Sequence, residues 1–344
     1  MDIDSGLDVL TSCVSPAIPT FPPTSSPELD QALNRFREEL FVPFGLSVQQ
    51  RKLMFRQKYA DQLDEEPVTV NIGENDEPFQ LRPMDPQSRP TKQEAVDAIA
   101  LMKTSKDWQN LVPFLTGLRM SHRFLKPDRW EWIIRRANNA DALGVLVECA
   151  KQSRNTGLRF NNAAVVQRFF FELHRKAQRA EFQDPAITKA LGQANQVLAL
   201  METPEHIEHN MQLDPKRKPA VVGVLLELHA ARALNVLGGK DEGGHVRKFA
   251  LRLLGTWANG DFNRDTSTWA KVDQQLQENT PIYNGLRMAA QLPEVSGDKS
   301  INPLLKERLN QITMIIAKHK KQAPENVKKQ PTQGLEQAQL LHQG

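Results

Sequence analysis

Apolar residues recur at helical spacing along most of this chain, beginning at Ser26. Ser26 can cap a helix that carries Pro27 in its first turn, and a second helix is predicted from about Val48 to Leu63. Residues three and four apart share one side of a helix, so the first helix has an apolar face that can pack on a core. That face comprises Leu29, Leu33, Phe36 and Leu40.

One stretch alternates with a period of two instead. Val68, Val70 and Ile72 are separated by polar residues, and apolar residues alternate again at Phe79 and Leu81 after a Gly-Glu-Asn-Asp turn. Alternation of this kind is typical of strands. The sequence therefore predicts one small β-hairpin, packed on the neighbouring helices.

From Thr91 onward the apolar pattern is helical and comes in pairs. Thr91 and Glu94 have the spacing of a capping box, in which each side chain accepts a hydrogen bond from the other residue's free backbone amide. Three predicted helix pairs follow. Their apolar stripes lie at 96–100 and 111–118, at 130–137 and 143–150, and at 166–173 and 187–198.

The second and third pairs recur with an offset of about 33 residues, a spacing typical of helical-hairpin repeats. Each hairpin has more apolar surface than it can bury alone, so neighbouring hairpins stack to complete one core. We therefore predict a mainly α fold, an α-solenoid-like array of helical hairpins with one small β-hairpin near the N-terminus. The alignment places Leu125, Trp130, Ile133 and Ala137 on Leu158, Ala163, Val166 and Phe170.

The unit from Arg129 to Asn161 resembles a pentatricopeptide repeat. Ala142 stands where that family has the Ala of its second helix, and Gly157 where it has the loop Gly before the next unit. Residues 125–128, "LKPD", resemble the family's unit ending. The likeness covers about residues 92–200 and is most specific in this middle unit, because the third pair has a longer connection. The chain as a whole resembles proteins associated with fungal mitochondrial ribosomes and translation.

This resemblance implies a helical solenoid of the mitochondrial matrix, with ribosomal or messenger RNA and ribosomal proteins as partners. Too few regular units are present to read an RNA sequence one base per repeat. The N-terminus carries Asp2, Asp4 and Asp8 and has no Lys or Arg before Arg35, which is unlike a secretory signal or an Arg-rich transit peptide. We therefore expect an internal import signal or an incomplete start.

Beyond residue 203 the pattern stays helical without clear repeat spacing. One helix stops at Gly238 and Gly239, a pair of residues that favours helix termination. Further helices are predicted near 246–257, 268–277, 281–291 and 302–319. The predicted regions are a disordered Pro/Ser-rich lead at 1–26, N-terminal helices with the hairpin at 27–90, the repeats at 91–203, a C-terminal helical region at 204–320 and a disordered Gln-rich tail at 321–344.

Composition narrows the class of protein. A chain of 344 residues, 40% of them hydrophobic, can bury one or two sizeable cores. The 44 Lys and Arg residues against 41 Asp and Glu leave a net charge of only +3, so the total charge points to no partner. Cys13 and Cys149 are far apart, which argues against a disulfide framework or zinc site. No apolar run reaches the roughly 20 residues that a membrane span needs.

Positive charge is concentrated in the repeat region. Between Gly117 and Ala180 there are 13 Lys and Arg residues against 5 Asp and Glu, and 13 − 5 leaves +8. Such a surface can hold a phosphate backbone through charge and counterion release. The residues that we predict to contact RNA are Arg119, Arg123, Lys126, Arg129, Arg135, Arg136, Arg168, Arg175, Lys176 and Arg179.

Each of these features also has a purely structural interpretation. Cations at the end of a helix are stabilised by the helix dipole, as Arg135, Arg136, Arg175 and Lys176 would be. Aromatic residues at helical spacing are commonly part of the core, although they can also serve as stacking platforms for bases. The aromatic residues concerned are Trp130, Trp132, Phe169, Phe170 and Phe171.

The sequence contains no recognisable catalytic motif. His206 and His209 are three residues apart rather than the four of a zincin helix, and "LGGKDEGGH" does not have the spacing of a phosphate-binding loop. Cys149 lies in a predicted helix, where a buried thiol is the commoner role. We therefore predict no enzyme, no cofactor or metal, and no small-molecule substrate.

Two functions remain open from the sequence. The first is a helical-repeat protein associated with RNA, as a structural component or associated factor of the mitochondrial ribosome or translation machinery. The second is a helical scaffold that binds only proteins. Strong dependence of binding on salt would separate the two, because phosphate contacts release counterions.

Overall fold

A computed structural model describes residues 18–73, 76–262 and 264–341. It is mainly helical with a small two-stranded antiparallel sheet, which confirms the predicted class. Contacts between residues divide the chain into two units. Within the described residues, the first unit comprises 18–125 and 155–157, and the second comprises 126–154 and 158–341.

The first unit contains the predicted β-hairpin among short helices. The two strands pair antiparallel, with Thr69 opposite Gln80 and Ile72 opposite Glu77. The helices are α1 (Pro27–Phe36), α2 (Val42–Gly45), α3 (Val48–Phe55), α4 (Ala60–Glu65), α5 (Lys92–Leu101), α6 (Ser105–Trp108) and α7 (Leu111–Met120), and the strands are β1 (Thr69–Ile72) and β2 (Glu77–Gln80).

The core of the first unit forms around α1 and α7. The predicted apolar face of α1 is buried, as is Leu40 in the π-helical turn that follows. The rings of Phe36 and Phe114 meet edge to face, with centroids 5.0 Å apart. Gly117 of α7 lies against Phe41, where a Cβ atom would come within 2.5 Å of the ring. Close approach of α7 to this turn therefore depends on the missing side chain.

Residues 18–26 have no regular secondary structure but pack on the first unit. The Nε of Arg37 donates to the carbonyl of Pro19 at 3.1 Å, and the amide and hydroxyl of Ser25 donate to Asp107 at 2.8 Å each. Proline and serine disfavour a helix without preventing an extended chain from packing. The lead predicted to be disordered is therefore held in place over these residues, and its remainder lies outside the described residues.

The helix predicted from Val48 to Leu63 is divided in two. The amide of Met84 donates to the carbonyl of Met54 at 2.8 Å, and Arg56 is extended. The last turn of α3 is therefore tied to the segment that follows the hairpin. This long-range contact has no signature in the local apolar pattern. The capping box at Thr91 and Glu94 is present as predicted.

The helices after α7 belong mainly to the second unit. The prediction of separate helices near 268–277 and 281–291 is wrong, because one helix covers both. In chain order the helices are α8 (Asp128–Asn139), α9 (Leu143–Lys151), α10 (Ser153–Thr156), α11 (Ala163–Arg179), α12 (Ala186–Leu200), α13 (Pro219–Asn235), α14 (His245–Gly255), α15 (Trp269–Ala289), α16 (Pro293–Ser296), α17 (Asn302–Lys321), α18 (Glu325–Lys329) and α19 (Gln333–Leu340).

Pro281 lies inside α15 without ending it. A proline normally breaks a helix because it lacks an amide proton and its ring clashes with the preceding turn. Here α13 and α15 pack closely through two glycines, and a Cβ atom on Gly285 would lie 2.9 Å from the carbonyl of Gly223. Packing along the length of α15 therefore outweighs the local preference for a break.

Two helical hairpins stack within the second unit. The first hairpin is formed by α8 and α9, and the next by α11 and α12. The first helices of the hairpins, α8 and α11, pack on each other, and so do the second helices, α9 and α12. Helix α13 packs on both α11 and α12. The second and third of the three predicted helix pairs are therefore present as packing units.

The tail predicted to be disordered from residue 321 contains α18 and α19. Leu335 and Ala338 are buried. The amide of Leu335 donates to Asp273 of α15 at 3.1 Å, and the hydroxyl of Thr332 donates to the same carboxylate. The Gln-rich composition hid a short apolar face, and α19 is stabilised by packing on α15 and α17.

Candidate nucleic-acid interface

The connection after α7 positions the first two predicted RNA-contacting residues. The hydroxyl of Ser121 donates to the carbonyl of Gly117 at 2.8 Å, and His122 has a left-handed backbone with φ of 57°. The amide of Arg123 then donates back to Leu118 at 2.7 Å. The chain therefore turns sharply as it leaves α7.

Arg119 and Arg123 lie beside an exposed aromatic ring in the first unit. The guanidinium of Arg119 is 5.2 Å from the ring centroid of Phe124, which is 46% exposed. Arg119, Arg123 and Phe124 also line a cavity of about 110 Å³ with Gly157. We call Arg119, Arg123 and Phe124 the basic-aromatic patch. It offers cations for phosphate and a ring face for a base.

Four further predicted residues lie on the surface of the second unit. Lys126 and Arg129 flank the start of α8, Arg135 lies near its end, and Arg179 is the last residue of α11. All four are exposed, and none forms an ion pair with another residue in the described part of the chain. We call these four the exposed cations.

Arg135 also lines a polar cavity of this unit. The cavity has a volume of about 320 Å³ and lies among α8, α11, α13 and α15. Its walls include Gln167, Gln274 and Gln277, together with the carboxylate of Glu131. Arg136, the next predicted residue, is half-buried, and its guanidinium lies 5.2 Å from the ring centroid of Trp132.

Arg168 and Arg175 belong to a buried charge network rather than to the surface. Both guanidinium groups donate to the fully buried Glu172, at 3.4 Å and 2.8 Å, and Asn138 donates to the same carboxylate at 2.6 Å. Arg168 also donates to Gln277 at 2.8 Å, and burial lowers the pKa of its guanidinium. Both arginines pair with Glu172 within α11, while Asn138 links this carboxylate to α8 and Gln277 links Arg168 to α15. Because both cations are used inside the fold, we leave them out of the proposed interface.

Lys176 is paired with a carboxylate at the turn between α8 and α9. It donates to Asp141, which also accepts from Lys189 of α12 at 3.1 Å. Partial burial opposes ionisation of Asp141, but the two lysines outweigh it and hold the pKa of this carboxyl below its usual range. The charge of Lys176 is therefore largely compensated within the hairpins.

Most of the aromatic residues considered as stacking platforms are core residues. Trp130, Phe169, Phe170 and Phe171 are all buried, and Trp132 is half-buried. The exposed ring is that of Phe124, which the apolar pattern did not single out. Its position in the sequence could have indicated an exposed ring, because Phe124 lies outside any helical stripe and between Arg123 and Lys126.

The residues considered for catalysis or metal binding have structural environments. His206 is buried, with Nδ1 accepting from the amide of Phe160 at 2.9 Å and Nε2 donating to the carbonyl of Ala150 at 3.0 Å. Burial raises the pKa of the Cys149 thiol. Among the described residues, no group of three or more His, Cys, Asp or Glu could hold a metal, and no helix is suited in length and apolarity to span a membrane.

Comparisons with known proteins match nearly the whole chain. A family model described as mitochondrial ribosomal protein mS27 matches residues 10–341. A relative from Neurospora crassa, described as small ribosomal subunit protein mS27, is 28% identical over 294 residues, which covers 76% of this chain and 74% of the relative. The family match therefore runs through both units.

Proposed function

The chain belongs to the family of mitochondrial ribosomal protein mS27, and from that premise we propose that it is a structural protein of the small subunit of the mitochondrial ribosome that contacts ribosomal RNA. Family membership confirms the expectation of a non-catalytic mitochondrial ribosomal protein. Ribosomal RNA as the partner, and the matrix as the compartment, are parts of the proposal.

The observation that carries RNA contact is the set of cations without carboxylate partners. Exposed ion pairs contribute little to stability, and isolated exposed cations contribute less still, so the fold does not require Lys126, Arg129, Arg135 or Arg179. A phosphate backbone does favour such cations, since each neutralised phosphate releases counterions. The exposed cations in the second unit and the basic-aromatic patch in the first are therefore the proposed contact residues.

We also propose a pentatricopeptide-like origin for the two hairpins of the second unit, whose first helices carry three of the exposed cations. Arg129 and Arg135 lie on α8 and Arg179 lies on α11, which are the first helices of their hairpins. Ala142 is buried at the start of α9, where the family has its Ala. We propose that RNA runs along the first helices, so cross-links should fall on α8 and α11 rather than on α9 and α12.

The test is sedimentation of the tagged chain from mitochondrial lysate at low and high salt, with ribosomal RNA followed in each gradient fraction. We expect the chain to comigrate with the small subunit. One variant carries Arg119→Gln and Arg123→Gln, and another carries Lys126→Gln, Arg129→Gln and Arg135→Gln. Each should be released at lower salt than the parent chain, because a chain that neutralises fewer phosphates binds RNA more weakly at every salt concentration.

A matched control changes exposed cations that lie outside the proposed interface. Lys52→Gln with Arg56→Gln removes two such charges from the first unit, and its release should match that of the parent chain. Ultraviolet cross-linking of the same fractions reports direct RNA contact. Comigration with the subunit but no cross-link to RNA, and no effect of either interface variant, would support a scaffold that binds only proteins.

A further inference from the structure

The loop between α12 and α13 carries two exposed apolar side chains. Met211 is 67% exposed and Leu213 is 56% exposed. Single exposed apolar residues are normal on a protein surface. A Met and a Leu two residues apart at the tip of one loop form a small apolar pair, which is typical of a contact site rather than of isolated exposure. The fold leaves the greater part of both side chains exposed to solvent.

Hydrogen bonds fix the conformation of the loop tip. The carbonyl of Asn210 accepts from the amides of Leu213 and Asp214 at 3.0 and 2.9 Å. Its side-chain oxygen accepts from the amide of Gln212 at 2.9 Å, and Glu208 accepts from the amide of Asn210 at 2.9 Å. The tip is therefore a turn whose backbone is held by hydrogen bonds.

The base of the loop is fixed by His206. The hydrogen bonds of this ring to Phe160 and Ala150 require Nδ1 without a proton and Nε2 with one, which is the neutral form. Burial also favours that form, because it lowers the pKa of the imidazole. With both base and tip ordered, Met211 and Leu213 are presented at little entropic cost on binding, which is the usual advantage of a preorganised contact.

The charge at the tip of the loop disfavours RNA as its partner. Lys216, Arg217 and Lys218 lie at the foot of the loop, just before α13, whereas the stretch between Lys189 and Lys216 has four acidic residues and no Lys or Arg. Two of them form ion pairs, Glu202 with Lys216 and Glu205 with Arg154. The other two, Glu208 and Asp214, form no ion pair with a described residue and flank the apolar tip. Uncompensated negative charge repels phosphate and attracts a cationic rim.

We propose that Met211 and Leu213 anchor a protein–protein contact, in which they enter an apolar pocket that is bordered by Lys or Arg on a basic neighbouring protein. Methionine suits such a site because its flexible thioether adapts to the shape of the pocket. The contact is separate from the proposed RNA interface, and its two apolar anchors should hold in high salt, although salt screens the attraction between the acidic tip and the cationic rim. Burial of apolar surface is not weakened by salt, whereas phosphate contacts are.

The first experiment places a photo-crosslinking amino acid at position 211 of the full-length chain in mitochondria. We expect an adduct that survives ribonuclease and is digested by protease. Mass spectrometry of the cross-linked peptide should locate it in an apolar site with neighbouring Lys or Arg. The same amino acid at position 314, where Met314 is equally exposed on α17, is the control and should not give that adduct.

The second experiment measures retention on the small subunit after a high-salt wash. Met211→Ser with Leu213→Ser should increase release by about 10- to 100-fold, as expected when two apolar anchors are removed, whereas Met211→Leu should behave like the parent chain. Unchanged circular dichroism and melting temperature would show that the variant folds. Met314→Ser is the matched control.

Several outcomes would overturn the proposal. An adduct with RNA, an adduct with a second copy of this chain, or no adduct at position 211 would each do so, as would normal retention of the double Ser variant. Failure of the proposed RNA contact would be seen separately, because it depends on the Arg and Lys variants and on low-salt release. The two interfaces can therefore fail independently.

Discussion

Two short stretches of this chain are equally basic in sequence and differ in structure. The first contains Arg119, Arg123, Lys126 and Arg129, and the second contains Arg168, Arg175, Lys176 and Arg179. In the first stretch no cation is paired with a carboxylate of a described residue, while in the second all but Arg179 are. Charge density in a sequence therefore does not distinguish a binding surface from an internal network. The difference comes from two carboxylates: Glu172 on the same helix pairs with Arg168 and Arg175, and Asp141 from the turn between α8 and α9 pairs with Lys176.

Glu172 pairs with two of the four cations of the second stretch, and its substitution should lower the free energy of unfolding more than any other change proposed here. Glu172→Gln leaves Arg168 and Arg175 without their carboxylate, and breaking a buried ion pair in this way destabilises a protein by about 3–5 kcal/mol. The measurement is the free energy of unfolding in urea. Glu148→Gln is the control, because Glu148 forms only an exposed pair with Lys151 and its substitution should change stability by less than about 0.5 kcal/mol. Similar stability of both variants would contradict the buried network.

Trp130 directly follows the first stretch, and its substitution tests whether this aromatic residue belongs to the core or to the RNA interface. It is buried on α8, so Trp130→Ala should lower the free energy of unfolding by about 3 kcal/mol. Trp132→Ala, at a half-buried position of the same helix, should lower it less. Weaker RNA binding with little change in stability would identify Trp130 as a stacking residue instead.

Substitution of Asp141 should leave Lys176 in the second stretch unpaired, as the cations of the first stretch are. Asp141→Asn removes the charge that pairs with Lys176 and Lys189, which are both near the surface. The decrease in stability should be below about 1 kcal/mol, since exposed pairs contribute little. We also expect salt-sensitive RNA binding to strengthen slightly, because two cations become available. A large drop in melting temperature would show that the pair is structural.

The exposed residues of the first stretch should matter least for the fold. Lys126→Gln with Arg129→Gln should change the free energy of unfolding by less than about 0.5 kcal/mol. Binding to ribosomal RNA should weaken, and the slope of log affinity against log salt should become shallower by roughly 0.7 to 0.9 for each phosphate that the variant no longer neutralises. An unchanged slope in a filter-binding titration would remove these two residues from the interface.

The sequence by itself determined the helix pairs, the hairpin and the capping box at Thr91, because each depends on residues close together in the chain. It also indicated the positive charge of the repeat region and the resemblance to proteins of mitochondrial translation. Apolar periodicity is a local property, and a helix or strand with an apolar face needs a core wherever that core lies.

Only the tertiary structure decided which charges remain available and where helices end. Arg175 and Arg135 each have a glutamate one helical turn away in sequence, Glu172 and Glu131, but Glu172 is buried and paired with Arg175, whereas Arg135 forms no ion pair with a described residue. The break in α3, the continuity of α15 through Pro281 and the docking of α19 on Asp273 likewise depend on partners distant in the chain. Pairing and close packing are set by distances in space, which the local pattern does not contain.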